Sequence, residues 1–137
     1  MEKVTVFTDG GARGNPGPAA IGVYILDTKG GVIREHGECI GDATNNVAEY
    51  QAIVRALELL STIVSDTKGV DVTVKLDSQL VQRQMKGEYK VKDATLKTYF
   101  DTAKTLVNEF NSVDFIHVPR NENKEADRLV NEALDAK

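Results

Sequence analysis

Four acidic residues, Asp9, Glu49, Asp77 and Asp127, are spread over most of a 137-residue chain, and each falls where a strand pattern ends or a helical pattern begins. Carboxylate oxygens suit hard cations. Mg²⁺ takes oxygen ligands in octahedral geometry, keeps several waters, and is usually held by a few carboxylates together with substrate phosphate oxygens. Metal-dependent phosphate chemistry is therefore the first expectation. Each acid also has an ordinary use, and pattern alone leaves both readings open. Glu49 shares the stripe of Ile53, Ala56 and Leu60, where a carboxylate is unfavourable unless paired or metal-bound; equally, Asn46-Val47-Ala48-Glu49 fits a capping box with Asn46 at the cap. Asp127 shares a helical face with Val130 and Leu134, or serves as a first-turn acid facing the helix dipole. Asp9 precedes a glycine as a turn-initiating aspartate would. Asp77 groups by alternation with Asp71, Thr73 and Lys75, and capping of a helix at Ser78 explains it well. The ordinary readings must hold at all four positions together.

The elements that would position these residues follow from periodicity. Val4, Val6 and Thr8 alternate with Thr5, Phe7 and Asp9, a strand ending at Asp9 before the glycine-rich stretch 10–18, which reads as a loop. Residues 19–28 and 32–40 form two β-rich stretches around the hairpin signal Thr28-Lys29-Gly30-Gly31. The pattern is helical over 46–63, returns to a strand through Val70, Val72, Val74 and Leu76, and gives a short helix over 78–86 stopped by Gly87. A helix over 94–110, a strand over 113–118 and a terminal helix over 122–134 complete the chain. Opening hairpins give antiparallel strands and crossover helices give parallel ones. The expectation is an α/β fold of order βββαβααβα, with a five-stranded mixed sheet flanked by helices, as one domain over 1–137.

Composition is that of a soluble globular protein, with 41% hydrophobic and 28% charged residues, which excludes disorder as the default state. A formal charge of −4 argues against gripping nucleic acid by bulk charge alone, although two bound divalent ions would cancel it. Residues 83–97 hold a local excess of cations (Arg83, Lys86, Lys90, Lys92 and Lys97 against Glu88 and Asp93), readable as a phosphate-facing patch or as a solvated surface. The single Cys39 cannot form an internal disulfide or a cysteine-based zinc site, in keeping with a reducing compartment. Met1-Glu2-Lys3 leads directly into strand residues without a signal-like core, and no apolar run is long enough to span a bilayer. A cytoplasmic monomer with no membrane partner is expected. His36 and His117 read as structural or exposed, and Tyr89 and Tyr99 as core or surface aromatics with stacking on nucleotides as the alternative.

Taken together, Thr8-Asp9-Gly10-Gly11-Ala12-Arg13-Gly14-Asn15-Pro16-Gly17, Thr44-Asn45-Asn46-Val47-Ala48-Glu49-Tyr50, Leu76-Asp77-Ser78-Gln79 and Asn121-Glu122-Asn123-Lys124-Glu125-Ala126-Asp127 resemble type 1 ribonuclease H, and with it the ribonuclease H-like fold. The resemblance implies hydrolysis of the RNA strand of an RNA/DNA hybrid, leaving 5′-phosphate and 3′-hydroxyl ends, with two Mg²⁺ ions per site or Mn²⁺ in their place. By the same resemblance Asp9 bridges both ions, Asp127 completes the site of the water-activating ion, and Glu49 and Asp77 complete the other. Two ions about 4 Å apart clamp an in-line displacement at phosphorus. Gly10, Gly11, Ala12, Asn15, Asn45, Asn46, Ser78 and Gln79 are implied to lie along the RNA, reading its 2′-hydroxyls, and Thr44 with Asn15 to hold a phosphate of the DNA strand. Double-stranded RNA is a further candidate substrate, and a non-catalytic nucleic-acid-binding module the rival from another class.

Two departures from the family pattern stand out. Many relatives carry a mobile histidine before the last acid, whereas Pro119-Arg120-Asn121-Glu122-Asn123 has none; Arg120 is expected to substitute in part near the scissile phosphate. Residues 83–97 are also too few for the full basic helical protrusion of many relatives, so a short form with salt-sensitive affinity is expected.

Overall fold

The computed structural model describes residues 2–137; Met1, the first residue of the expected 1–137 domain, lies outside the described residues. The chain runs β1 (Glu2–Ala12), β2 (Gly17–Leu26), β3 (Val32–Ala43), α1 (Asn45–Ile63), β4 (Val70–Leu76), α2 (Gln79–Met85), α3 (Ala94–Val107), β5 (Ser112–His117) and α4 (Lys124–Asp135), with short 3₁₀ turns at Thr67–Gly69 and Arg120–Glu122. The strands form one sheet in the order β3-β2-β1-β4-β5. β1 is its centre, antiparallel to β2 and parallel to β4, while β3 pairs antiparallel with β2 and β5 parallel with β4. The expected element order and mixed sheet are both present.

Alternation along each strand decides what lies on each face. Val4 and Val6 of β1, Val23 and Ile25 of β2, and Val70, Val72, Val74 and Leu76 of β4 pack into one buried cluster with Tyr50, Ile53, Ala56, Leu57 and Leu60 of α1. Each fully buried aliphatic side chain there stabilises the fold by roughly 1.5–3 kcal/mol relative to exposure. On the other face α4 lays Val130 and Leu134 against Ala20 of β2 in a smaller cluster. The α4 pattern puts Ala126, Leu129, Val130 and Leu134 inward, with spacing that also carries Asp127 to the border of the sheet.

Two local expectations need correction. The stretch 10–18 is not all loop: Gly10, Gly11 and Ala12 continue β1 by pairing with Ile21, Ala20 and Ala19, and Gly17 and Pro18 already belong to β2. Small residues on both strands let the ladder run on, and only residues 13–16 are left to turn the chain. The start of α1 also differs, because its cap is Thr44, whose side chain accepts from the Val47 N–H at 3.2 Å. Asn45 and Asn46 lie inside the first turn, and Glu49 is free of any capping box.

Candidate active site

The acids meet where β1 and β4 approach the first turn of α1 and the start of α4. Asp9 lies on the face of β1 that α4 covers, opposite Gly22 of β2. Gly22 is why α4 comes so close: a Cβ there would lie 2.2 Å from the Ala126 carbonyl oxygen, the residue before Asp127. On the other face Gly10 does the same for α1, since a Cβ would lie 2.2 Å from the Ala48 carbonyl carbon and 2.5 Å from the Glu49 nitrogen. Any larger residue at either position would have to push a helix, and its acid, away from Asp9. The closeness of β1 and α1 is sealed by the Gly10 N–H, which donates to Glu49 Oε1 at 2.5 Å.

Asp9, Glu49 and Asp77 each offer an oxygen within 4.8 Å of the others, the geometry of a shared cation site. Asp127 stands outside this tightest trio but lines the same open cavity of about 420 Å³, together with Arg120 and Arg13. Asp9 and Glu49 are only 9% and 7% exposed, so their charge is poorly hydrated. Burial, followed by the charges of Asp77 and Asp127, pushes the Asp9 carboxyl up to about 7. Glu49 is raised well above the usual carboxylate range, by burial first and then by the charges of Asp9 and Asp77. Such a concentration of like charge is unfavourable in isolation and fits a donor set made for divalent cations: oxygen-only, convergent and open to solvent on one side.

Other residues expected at the site lie at the entry to α1 and at the start of α2. Asn45 Oδ1 accepts from the Ala12 N–H at 2.8 Å, and the Asn45 N–H donates to Asn15 Oδ1 at 3.0 Å. Ala12, Asn15 and Asn45 thus form one network at the entry to α1, with both amide oxygens occupied and their –NH₂ groups left to donate outward. Ser78 caps α2 by accepting from the Val81 N–H at 3.3 Å, and Gln79 is the exposed first residue of that helix. Gly11, Asn46 and Ser78 line the acid cavity, while Asn15, Thr44, Asn45 and Asn46 line a neighbouring one. Gly10 is the position at which α1 packs on β1 and can carry no side chain. Arg120 is exposed in the 3₁₀ turn before α4.

Tyr99 accepts from Gln51 Nε2 at 3.1 Å, and the exposed Tyr89 is held by Arg83, which bonds its hydroxyl at 2.7 Å and lies over its ring. His36 bonds Glu38 at 2.8 Å, and His117 is exposed at the end of β5. Sequence reasoning missed two residues. Gly22 was hidden in a β-rich stretch, although an isolated glycine inside a strand is itself a sign of close backbone approach. Asn123 lay in a quoted motif, yet only the fold shows its amide reaching Asp77 Oδ2 at 3.2 Å.

A five-stranded sheet of this order, with carboxylates gathered at the adjoining ends of β1 and β4 and helices on both faces, defines the ribonuclease H-like class of α/β proteins. A family described as Reverse transcriptase-like matches residues 7–133. The ribonuclease HI of Halobacterium salinarum is 42% identical over 97% of this chain and 65% of its own length. The crystal structure of RNase H1 from that archaeon superposes with a TM-score of 0.93 at 41% identity, covering 98% of this chain and 99% of the other. LC11-RNase H1, isolated from compost, was solved in complex with an RNA/DNA hybrid and superposes with a TM-score of 0.93 at 48% identity, over 97% of both chains. The chain belongs to the type 1 ribonuclease H family. It spans only part of its first curated relatives, from 65% of the halobacterial protein down to 36% of mycobacterial ones.

Proposed function

We propose that this protein, acting as a monomer and as one domain over 1–137, is an endoribonuclease that hydrolyses the RNA strand of RNA/DNA hybrids with divalent cations. The observation that carries the reading is the trio Asp9, Glu49 and Asp77, with oxygens within 4.8 Å of one another at the floor of an open cavity. Asp127 lines that same cavity from α4. The hybrid held by LC11-RNase H1 supports the choice of substrate.

Asp9 interacts with Glu49, Asp77 and Asp127 alike and, by the family resemblance, would be the residue shared by two ions, with Glu49 and Asp77 completing one site and Asp127 the other. Two Mg²⁺, or Mn²⁺, held there supply activation of the attacking water and charge stabilisation of the departing 3′-oxygen. The protein's own part is positioning. The Asn45–Asn15–Ala12 network holds outward-facing amide donors at fixed places, suited to phosphate and 2′-hydroxyl oxygens, with Gly11, Asn46, Ser78 and Gln79 alongside. Thr44 and Asn15, together in the neighbouring cavity, are suited to a phosphate of the DNA strand. Selection of RNA rests on the 2′-hydroxyl, and sequence preference is weak because no base edge need be read. Arg120 contributes positive charge near the scissile phosphate, and the site works in the cytoplasm, where both strand types occur.

The test is cleavage of matched hybrid, double-stranded RNA and double-stranded DNA with Mg²⁺, with the ends of the products identified. Hybrid cut to 5′-phosphate and 3′-hydroxyl ends by wild type and not by Asp9→Asn is the expected result. Equal cleavage of double-stranded RNA would widen the substrate class. Binding of hybrid by both proteins with cutting by neither would leave a binding module.

A further inference from the structure

Asn123 is 1% exposed and borders the acid cluster, yet carries no charge to offer a cation. Its Nδ2 donates twice, to the carbonyl of Thr8 at 2.9 Å, directly before Asp9, and to Asp77 Oδ2 at 3.2 Å. Its backbone carbonyl accepts from the Asp127 N–H at 3.1 Å. One residue therefore touches the strand beside Asp9, the Asp77 carboxylate itself and the backbone of Asp127. Of the four acids, Asp77 is the one whose carboxylate it bonds.

The orientation of the amide follows from its neighbours. Turned about, Oδ1 would face two acceptors, so Nδ2 must point at Thr8 and Asp77. The consequence is visible on the other side of the group: Oδ1 is buried and has no hydrogen-bond partner among the described residues. An unpaired buried acceptor is unfavourable, and a native structure that keeps one has a reason to need the rest of the group. Capping does not supply that reason, since the Asn123 side chain makes no cap hydrogen bond to α4. What remains is the pair of donations, one of which fixes an oxygen of Asp77.

We propose that Asn123 is a positioning residue that orients the Asp77 carboxylate for a divalent cation, engaging one oxygen so that the other is presented toward Asp9 and Glu49. The inference rests on the metal-dependent reading above and sharpens it to a residue outside the four acids. Asn123 acts through Asp77 and touches neither cation nor substrate. Removing a group that hydrogen-bonds a metal ligand generally weakens metal binding by about 10- to 100-fold.

The experiment is calorimetric titration with Mn²⁺, without nucleic acid, of wild type, Asn123→Ala, Asp77→Asn and the double variant, each checked as folded by circular dichroism. Asn123→Ala is expected to weaken Mn²⁺ binding about tenfold or more. In the Asp77→Asn background the same change should add less than about twofold, because the carboxylate it serves is gone. Asn123→Asp keeps the shape and replaces the donor by an acceptor, and is expected to weaken binding as well. A purely structural Asn123 predicts the opposite set: a lower melting temperature with unchanged Mn²⁺ affinity, losses that add in the double variant, or tighter binding in Asn123→Asp. Any of these overturns the role. If wild type bound no Mn²⁺, the metal-dependent function would fall and the role of Asn123 with it; if wild type bound Mn²⁺ and Asn123→Ala matched it, only Asn123 would be excluded.

Discussion

Along the β3 flank, Arg128 of α4 gathers Glu35, Glu125 and Glu132 on one face of the sheet, and Arg55 of α1 shares Glu38 with His36 on the other. At the adjoining ends of β1 and β4, Asp9, Glu49, Asp77 and Asp127 have no salt-bridge partner among the described residues. The same side-chain chemistry is therefore handled in opposite ways within one small molecule. The flank matches each acid with a cation in solvent, where charge is well tolerated and contributes little. The site removes acids from solvent and leaves their repulsion standing. A fold bears such a cluster when something absent from the chain neutralises it, and that contrast is what separates functional acids from the others here.

The strongest way to break the contrast is at Asp9. Asp9→Asn removes the shared ligand, and cleavage of hybrid should fall by at least about a thousandfold, measured as single-turnover rate at saturating Mg²⁺. The same change relieves repulsion, so the metal-free variant should melt higher than wild type at pH 8, by about 5 °C or more. Lost activity accompanied by a lower melting temperature would mean that Asp9 is a structural acid after all.

A pH series on metal-free protein tests both regions at once, because their signs differ. Asp9, raised to about 7 against an ordinary value of 3.8, holds a proton in the folded state that the unfolded chain has released. Between those values stability falls as pH rises, and the loss is complete above about 7. Glu38 is lowered, chiefly by its hydrogen bond to His36, so its contribution is present above its ordinary value of 4.5 and disappears as pH falls below it. Thermal melts without metal should therefore be highest on the acid side of neutrality. Mg²⁺ or Mn²⁺ should raise the melting temperature most at pH 8, where Asp9, raised to about 7, has given up its proton. A flat profile from pH 5 to 8 with no response to metal would refute the reading of the cluster.

Arg120 is the one cation at the site that the sequence suggested for the reaction, and its effect should be smaller. It is exposed on a short turn, so Arg120→Ala should leave the melting temperature unchanged and lower turnover on hybrid by about three- to tenfold, with a shallower salt dependence. Unchanged turnover would leave the missing histidine without a substitute.

How far the site could be read in advance depended on the kind of signal each residue gives. Asp9, Glu49 and Asp127 were legible because a charge on an apolar stripe or at a strand end breaks the local pattern, and Leu76-Asp77-Ser78-Gln79 because it completes the ordered set of motifs. The element order was legible because Val70, Val72, Val74 and Leu76 alternate and Ile53, Leu57 and Leu60 recur, patterns that burial on one face requires. The course of β1 past Asp9 was not, since Gly10 and Gly11 have the local character of a turn and only their pairing with Ile21 and Ala20 makes them strand. Glu49 could not be separated from a capping role until the fold brought Gly10 to its carboxylate. Gly22 and Asn123 do their work through residues far off in the chain, Ala126 for the first and Asp77 and Thr8, 46 and 115 positions away, for the second, and no local pattern encodes such contacts.

The smallest effect is expected on the flank and is the control for the whole contrast. Hydrogen bonds that it donates to Glu125, Glu132 and Glu35 hold the Arg128 guanidinium well above its already high ordinary value, so it stays charged at any working pH. Even so, its partners are exposed and fully hydrated when released. Arg128→Ala strands no buried charge and opens no cavity, and it should lower the melting temperature by no more than about 3 °C, less at high salt, with no change in hybrid cleavage or Mn²⁺ affinity. Arg128 follows Asp127 directly, yet the helix points the two side chains about 100° apart, one into the cavity and one toward β3. A loss of metal affinity in Arg128→Ala would show that the surface network steers Asp127, and the two treatments of carboxylates would then be parts of one device.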